Sequence, residues 1–291
     1  MVTIHVFSKS AKPLATLTAP TDATLGQLKA MVAKKLAISE NRVRLTIGDV
    51  ALEPAEKPLS ALVKGSECAV VFKDLGPQIG WKTVFLVEYA GPLFILAAFA
   101  NWRLQSGRLS DFQVFACIAY AAHFIKRELE TIFVHRFSND TMPLKNIFIN
   151  SGHYWGSAAI IAYFLTHPLY TAPSETQQYI GAGIFFVSEI LNFYCHLKLA
   201  WLRPVGTKIR QVPRGFLFDQ ITCPNYTFEI TAWIGYAVMT KIFAVWGFVA
   251  LSTFILAKWA VGKKKRYLKE FDGLDGRDKF PKRAALFPLI F

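Results

Sequence analysis

The chain has 291 residues, 53% of them apolar and 14% aromatic, with 18% charged and a formal net charge of +13, a balance that argues against an ordinary soluble protein and for a membrane protein. Ten Lys or Arg against seven Asp or Glu leave +3 within 1–80; the other +10 lies beyond, where basic clusters alternate with long apolar runs. Charge placed between apolar runs fits loops held on one side of a bilayer and sites for anionic ligands, and it argues against nucleic-acid binding, which gathers its charge on one soluble face.

In chain order, Thr3 to Phe7 and Leu14 to Ala19 read as strands. Thr24 to Leu36 reads as a helix with Leu25, Leu28, Val32 and Leu36 on one face. Arg42 to Ile47 and Cys68 to Phe72 supply further strands, with turns at Gly48-Asp49 and Lys64-Gly65. This order, with the turn Pro20 to Asp22 before the helix, resembles a ubiquitin-like β-grasp domain. A docking role is the expected one, since the chain runs on past it without a free terminal Gly-Gly.

Beyond Trp81 the apolar runs predict spans at Val84 to Ala100, from Phe112, at Leu144 to Leu165 and at Tyr179 to Trp201. The stretch Ile230 to Trp259, divided by Lys241, predicts a tilted pair of short helices. The fold class expected is therefore an α-helical polytopic membrane protein of about six transmembrane helices, with five or seven as alternatives, carrying the N-terminal β-grasp domain. Its parts are the domain at 1–75, a linker at 76–83 and a membrane body at 84–291. No cleavable signal peptide is read at the N-terminus, so the first domain is expected in the cytosol. Six spans then place the basic segments Lys126 to Arg136, Arg203 to Arg214 and Lys258 to Lys269 on the cytosolic side and the neutral His167 to Gln178 on the other. Arg103 and Arg108 are a mild exception.

Cys68, Cys117, Cys195 and Cys223 are too scattered for a zinc site or a disulfide framework. The glycine signatures of dinucleotide-binding and P-loop folds are missing, as are the histidine patterns of metalloproteases and di-iron desaturases, so no metal is expected. What remains is three polar stripes on apolar helices: His123, Lys126, Arg127 and Glu130; Glu189, Asn192, His196 and Arg203; Asn225 and Glu229. Ionisable groups are costly in a membrane and normally face an interior or a wet cavity. Together the stripes predict a polar cavity suited to a phosphate-bearing ligand. Arg127, Arg136 and Arg203 are read equally as phosphate ligands or as partners of Glu128, Glu130 and Glu189.

Three further segments carry a specific pattern: Cys223-Pro224-Asn225-Tyr226-Thr227-Phe228-Glu229, Trp233-Ile234-Gly235-Tyr236, and Arg266-Tyr267-Leu268-Lys269-Glu270-Phe271 with the terminal Phe287-Pro288-Leu289-Ile290-Phe291. With Lys126-Arg127, Phe133 to Ser138 and Asn192 to Pro204 upstream, this ordered set resembles the steroid 5-alpha-reductase family, most closely its very-long-chain trans-2-enoyl-CoA reductase branch. The β-grasp domain fits that branch too. The resemblance implies NADPH-dependent reduction of a long-chain 2-enoyl-CoA in the endoplasmic reticulum membrane, as the last step of fatty-acid elongation, with sphingolipid supply downstream. Partners implied are the enoyl-CoA, the other elongation enzymes and the lipid bilayer.

By the same resemblance Asn192, His196, Arg203, Asn225, Tyr267, Arg136 and Lys263 are expected at the cofactor. Tyr226 is expected as proton donor, Glu229 as a group positioning Tyr226 or the cofactor, and Glu88 near the thioester, with His123, Lys126 and Arg127 assigned to the substrate. Relatives commonly have Tyr where this chain has Phe124, which argues against a steroid substrate. The rival readings are a 3-oxo-steroid or polyprenol reductase of the same superfamily, and a non-catalytic membrane scaffold with a ubiquitin-like docking domain.

Overall fold

Apolar residues at Val2, Ile4 and Val6 are buried while their neighbours are not, the alternation of a strand with one covered face. In the computed structural model, which describes all residues except 49, 53–56, 62–64, 138–139, 205–210, 275, 277 and 289–291, this strand is the hub of a mixed sheet. β1 (Val2–Ser8) pairs antiparallel with β2 (Pro13–Ala19) and parallel with β5 (Glu67–Asp74). β5 pairs antiparallel with β3 (Val43–Ile47) and β3 with the short β4 (Val50–Ala51), giving the order β2-β1-β5-β3-β4. Asp49 and Lys64, from the two expected turns, and Ser138 and Leu289 to Phe291, from the family-like segments, lie outside the described residues.

One helix, α1 (Leu25–Leu36), covers this sheet. Thr24 caps it rather than belonging to it: the Thr24 hydroxyl accepts from Gln27 N at 3.3 Å, and Gln27 Oε1 accepts from Thr24 N at 2.8 Å. The helix ends at Ala37, whose left-handed backbone (φ 53°) turns its N–H back onto Ala33 and Lys34. Leu25, Leu28 and Val32 pack on Ile4, Leu45 and Val70 as one core. A ribbon of β6 (Gln78–Gly80) and β7 (Thr141–Pro143) adds residues Asp140–Asn146 to this first compact unit, Met1–Trp81.

The second unit, Lys82–Asn139 with Ile147–Phe291, is helical. Its elements are α2 (Trp81–Ser106), α3 (Asp111–Leu129), α4 (Lys145–Thr166), α5 (Glu175–Trp201), α6 (Pro224–Thr240) and α7 (Phe243–Glu270). Among the described residues three helices, α2, α5 and α7, are long and apolar enough to cross a membrane. Lys241 does divide the last apolar stretch, as a left-handed cap (φ 54°) whose N–H bonds Ala237 O at 2.9 Å. The halves, however, are not two short helices. α6 begins at Pro224, where a missing N–H costs nothing, and α7 runs 28 residues through the basic run Lys263 to Arg266. Lys and Arg are good helix formers and sit well at a helix C-terminus, so no breaker stops α7 earlier.

Two glycines let α5 and α6 approach closely. A Cβ at Gly181 would strike the Met239 backbone, and one at Gly235 would lie 2.9 Å from Gly181 O and against Phe185 N. Around this seam Tyr120, Phe124, Phe185, Trp233 and Tyr236 form a buried aromatic core, with the Tyr236 hydroxyl donating to Ala116 O at 3.0 Å. The segment after α7 returns to the start of α6, where Ala284 O accepts from Thr222 N at 2.9 Å and Ala285 O from Cys223 N at 3.2 Å.

Two outcomes are expected. Gly235→Ala should destabilise the protein by about 1–3 kcal/mol through overpacking, whereas Gly183→Ala, whose Cβ meets open space, should not; thermal unfolding in detergent compares them. In the first unit Asp74 accepts from Arg42 Nε at 3.0 Å and Nη2 at 2.6 Å and from Gly76 N at 2.8 Å, and these bonds, Arg42 first, hold its carboxyl below the usual range. A lowered folded-state pKa adds stability above the unfolded value and loses it as pH falls through the folded one. Arg42→Met should therefore unfold slightly earlier than the parent at neutral pH and converge with it in acid, as followed by circular dichroism.

Candidate active site

Helical spacing brings the three polar stripes onto facing surfaces of α3, α5 and α6. From α3, His123, Lys126 and Arg127 point the same way. The helix then widens into a π-turn at Glu130–Val134, and the Thr131 hydroxyl donates to Arg127 O at 2.8 Å. Widened turns of this kind recur at functional sites because they re-aim one side chain out of the helical register. Here the side chain at the turn is Glu130, 1% exposed.

The groups form one connected network. His123 Nδ1 lies 2.7 Å from Glu189 Oε1, and its Nε2 lies 3.5 Å from Glu229 Oε1. Lys126 Nζ is 2.7 Å from Glu189 Oε2, donates to Asn192 Oδ1 at 2.8 Å and is 3.6 Å from Glu130 Oε1. Asn192 Nδ2 donates to Asn225 O at 2.8 Å and to Glu229 Oε2 at 3.3 Å, so one amide joins α5 to α6. Arg127 Nη1 is 2.6 Å from Glu130 Oε2 and 3.2 Å from His196 Nδ1, while its Nη2 donates to the Tyr89 hydroxyl at 2.9 Å. Burying charges is costly unless each finds a partner, and here the side chains of three glutamates interlock with those of Lys126, Arg127, His123 and His196.

Nine of the residues singled out in the sequence thus meet: His123, Lys126, Arg127, Glu130, Glu189, Asn192, His196, Asn225 and Glu229. The others fall into smaller groups. Tyr226 packs with Cys223, Ala285 and Leu286. Among the described residues no hydrogen bond ties Tyr226 to the network. Lys263 Nζ stands 5.7 Å from the centre of the Tyr267 ring, itself buried with Val212, Phe271 and Phe280. Arg136 and Arg203 are held side by side, each guanidinium donating to the other's backbone carbonyl. Glu88, 2% exposed, accepts from Asn150 Nδ2 at 2.9 Å.

Two members of the site, Tyr89 and Asn150, were not read from the sequence, whereas Glu130 and Glu189, read there as stripe members and as partners for arginines, are the centres on which the basic side chains converge. Tyr89 and Asn150 sit in apolar runs where a single polar atom leaves no periodic trace. Glu130, His135 and His196 offer ligand atoms within 4.8 Å of one another, but the Arg127 guanidinium stands among them, and its charge opposes a cation there. An acceptor does remain open: Asn225 Oδ1 is buried without a hydrogen-bond partner among the described residues.

Comparison with known proteins adds a second line. Residues 140–291 match the family described as 3-oxo-5-alpha-steroid 4-dehydrogenase. The very-long-chain enoyl-CoA reductase of Dictyostelium discoideum is 40% identical over 304 residues, covering 100% of both chains. The probable very-long-chain enoyl-CoA reductase of Caenorhabditis elegans is 38% identical, over 92% of this chain and 91% of its own. The human trans-2,3-enoyl-CoA reductase-like protein is 34% identical, over 80% and 67%.

Removing one partner of a buried pair leaves the other charge uncompensated. Arg127→Met is expected to cost about 3 kcal/mol or more, read as a fall in the thermal midpoint in detergent. Arg127→Lys, which keeps the charge but loses the planar fork, should recover only part of it.

Proposed function

The chain belongs to the steroid 5-alpha-reductase family, in its very-long-chain trans-2,3-enoyl-CoA reductase branch, and on that premise we propose that it uses NADPH to reduce the trans-2,3 double bond of long-chain enoyl-CoA, the last step of the fatty-acid elongation cycle. The observation that carries this reading is the convergence of Lys126, Arg127, Asn192, His196, Asn225 and Glu229 inside an otherwise apolar helical unit. Such a site can hold a charged, hydrogen-bonding head beside a hydrocarbon chain.

The residues present fit the cofactor. Asn225 Oδ1 is an open buried acceptor of the kind a carboxamide N–H would complete, and Arg136 and Arg203, linked through each other's backbone carbonyls, would supply the guanidiniums for phosphates. Asn192, His196, Tyr267 and Lys263 are assigned to the same ligand. NADPH, when bound, supplies the hydride that adds to the β-carbon of the enoyl thioester. The enolate so formed needs hydrogen-bond donors and then a proton at the α-carbon. Tyr226 is assigned as the donor of that proton, since a phenol is protonated at neutral pH and a neighbouring Lys or Arg would stabilise its phenolate. Glu229, bonded to Asn192 Nδ2 at 3.3 Å and Trp233 Nε1 at 3.2 Å, positions the α6 face that carries Tyr226. Glu88 and His123 complete the side facing the thioester.

The proposal extends to setting. α2 to α7 cross the endoplasmic reticulum membrane as six helices, with the first unit cytosolic. The sheet order and capped helix of residues 1–75 support a ubiquitin-like docking module, whose partners would be the other elongation enzymes.

The test is NADPH oxidation by purified protein with a long-chain trans-2-enoyl-CoA. Wild type should turn over. Tyr226→Phe should lose about 100-fold or more in kcat while still binding NADPH, measured by fluorescence. Turnover of a 3-oxo-4-ene steroid with none of any enoyl-CoA would sink the substrate assignment, and full activity in Tyr226→Phe would sink the proton donor.

A further inference from the structure

The polar network occupies the N-terminal half of α6 and leaves the other end unexplained. There α4, the turn after it and the first turns of α7 enclose a cavity of about 780 Å³, lined chiefly by Ile160, Phe164, Tyr170, Ile242, Phe248 and Leu251. Its size and lining are those of sites for apolar ligands. Ile160, Phe164 and Leu251 are each about half exposed, so the cavity opens along the flank of the helices. Two small residues, Ser157 on α4 and Gly247 on α7, border it and leave it wide.

One aromatic layer separates the cavity from the site. Phe248 lines it and packs on Trp233 at 4.6 Å between ring centroids and on His153 at 5.3 Å. Trp233 in turn lies 4.8 Å from the His123 ring and donates to Glu229 at 3.2 Å. α6 has 17 residues, so network and cavity occupy opposite ends of a helix about 25 Å long. A ligand with a polar, reacting head at one end and a long hydrocarbon tail would span that distance.

We propose that this cavity receives the distal part of the substrate's acyl chain, entering past the Trp233–Phe248 layer, and that its width sets the preference for long chains. The inference rests on reading the protein as an enoyl-CoA reductase. Each methylene moved from water into an apolar site adds about fourfold to affinity, so a chain too short to reach the cavity gains nothing from it. Filling the cavity should then penalise long substrates alone.

Gly247→Phe does this from α7, where a Cβ meets open space, and Ser157→Phe does it from α4; Gly183→Phe, on α5 outside the cavity and also in open space, is the control. Each protein is assayed with trans-2-octenoyl-CoA and trans-2-eicosenoyl-CoA. The expected result for either filling variant is an unchanged kcat/KM for the octenoyl thioester and a loss of about tenfold or more for the eicosenoyl one, with Gly183→Phe like wild type at both lengths. A long-chain enoyl-CoA bearing a diazirine at its ω end should label peptides of α4 and α7 at the cavity, and less so in Gly247→Phe. If wild type reduces both thioesters but the filling variants treat the two lengths alike, or the label lands elsewhere, the cavity is a site for bilayer lipid and this inference falls while the function stands. If wild type reduces neither, the function falls and takes this inference with it.

Discussion

Charge inside an apolar helical unit has to be matched by charge, and that requirement organises the second unit. Glu130, Glu189 and Glu229 come from three separate parts of the chain, each largely shielded from solvent. A carboxylate left without a partner there would be costly. Lys126 and Arg127 are adjacent on α3, so a single turn of helix supplies both basic side chains, and the carboxylates of the π-turn and α5 close around them. Because each group answers more than one partner, the positions of α3, α5 and α6 are set together rather than pair by pair.

That arrangement needs backbones close enough for short side chains to meet. Asn192 reaches both the Asn225 carbonyl and the Glu229 carboxylate because α5 and α6 are drawn together along the glycine seam at Gly181 and Gly235. Small residues at a helix contact exchange side-chain volume for proximity. The amide bridge and the glycines are two parts of one device, the first giving direction and the second distance.

A layer of rings divides the polar end of the unit from its apolar end. His123, Phe124, Trp233 and Phe248 stack edge to face, and Trp233 shows a different surface to each side, its N–H toward Glu229 and its ring toward Phe248. Polar head and hydrocarbon tail can therefore be handled within a few turns of the same helices. Two hydroxyl-bearing rings, Tyr89 and Tyr154, pack against Phe124 with ring centroids 6.4 and 6.3 Å away.

By itself the sequence determined whatever is local or periodic. The alternation of Val2, Ile4 and Val6, the Thr24–Gln27 cap, the apolar runs and the helical offsets among His123, Lys126 and Arg127 follow from neighbours a few residues apart, and so did strands, helices and polar stripes. The Cys223 to Glu229 segment and the terminal motifs carried the family. Only the tertiary structure decided which groups meet. Glu189 and Glu229 lie 66 and more than 100 residues beyond His123, and no spacing rule says that both face its ring. Nor could periodicity show that α7 runs through the basic run as one helix, that Arg136 and Arg203 lock onto each other's carbonyls, or that a cavity lies beyond Phe248. Those are properties of distances in space, and a one-dimensional pattern records distances only along the chain.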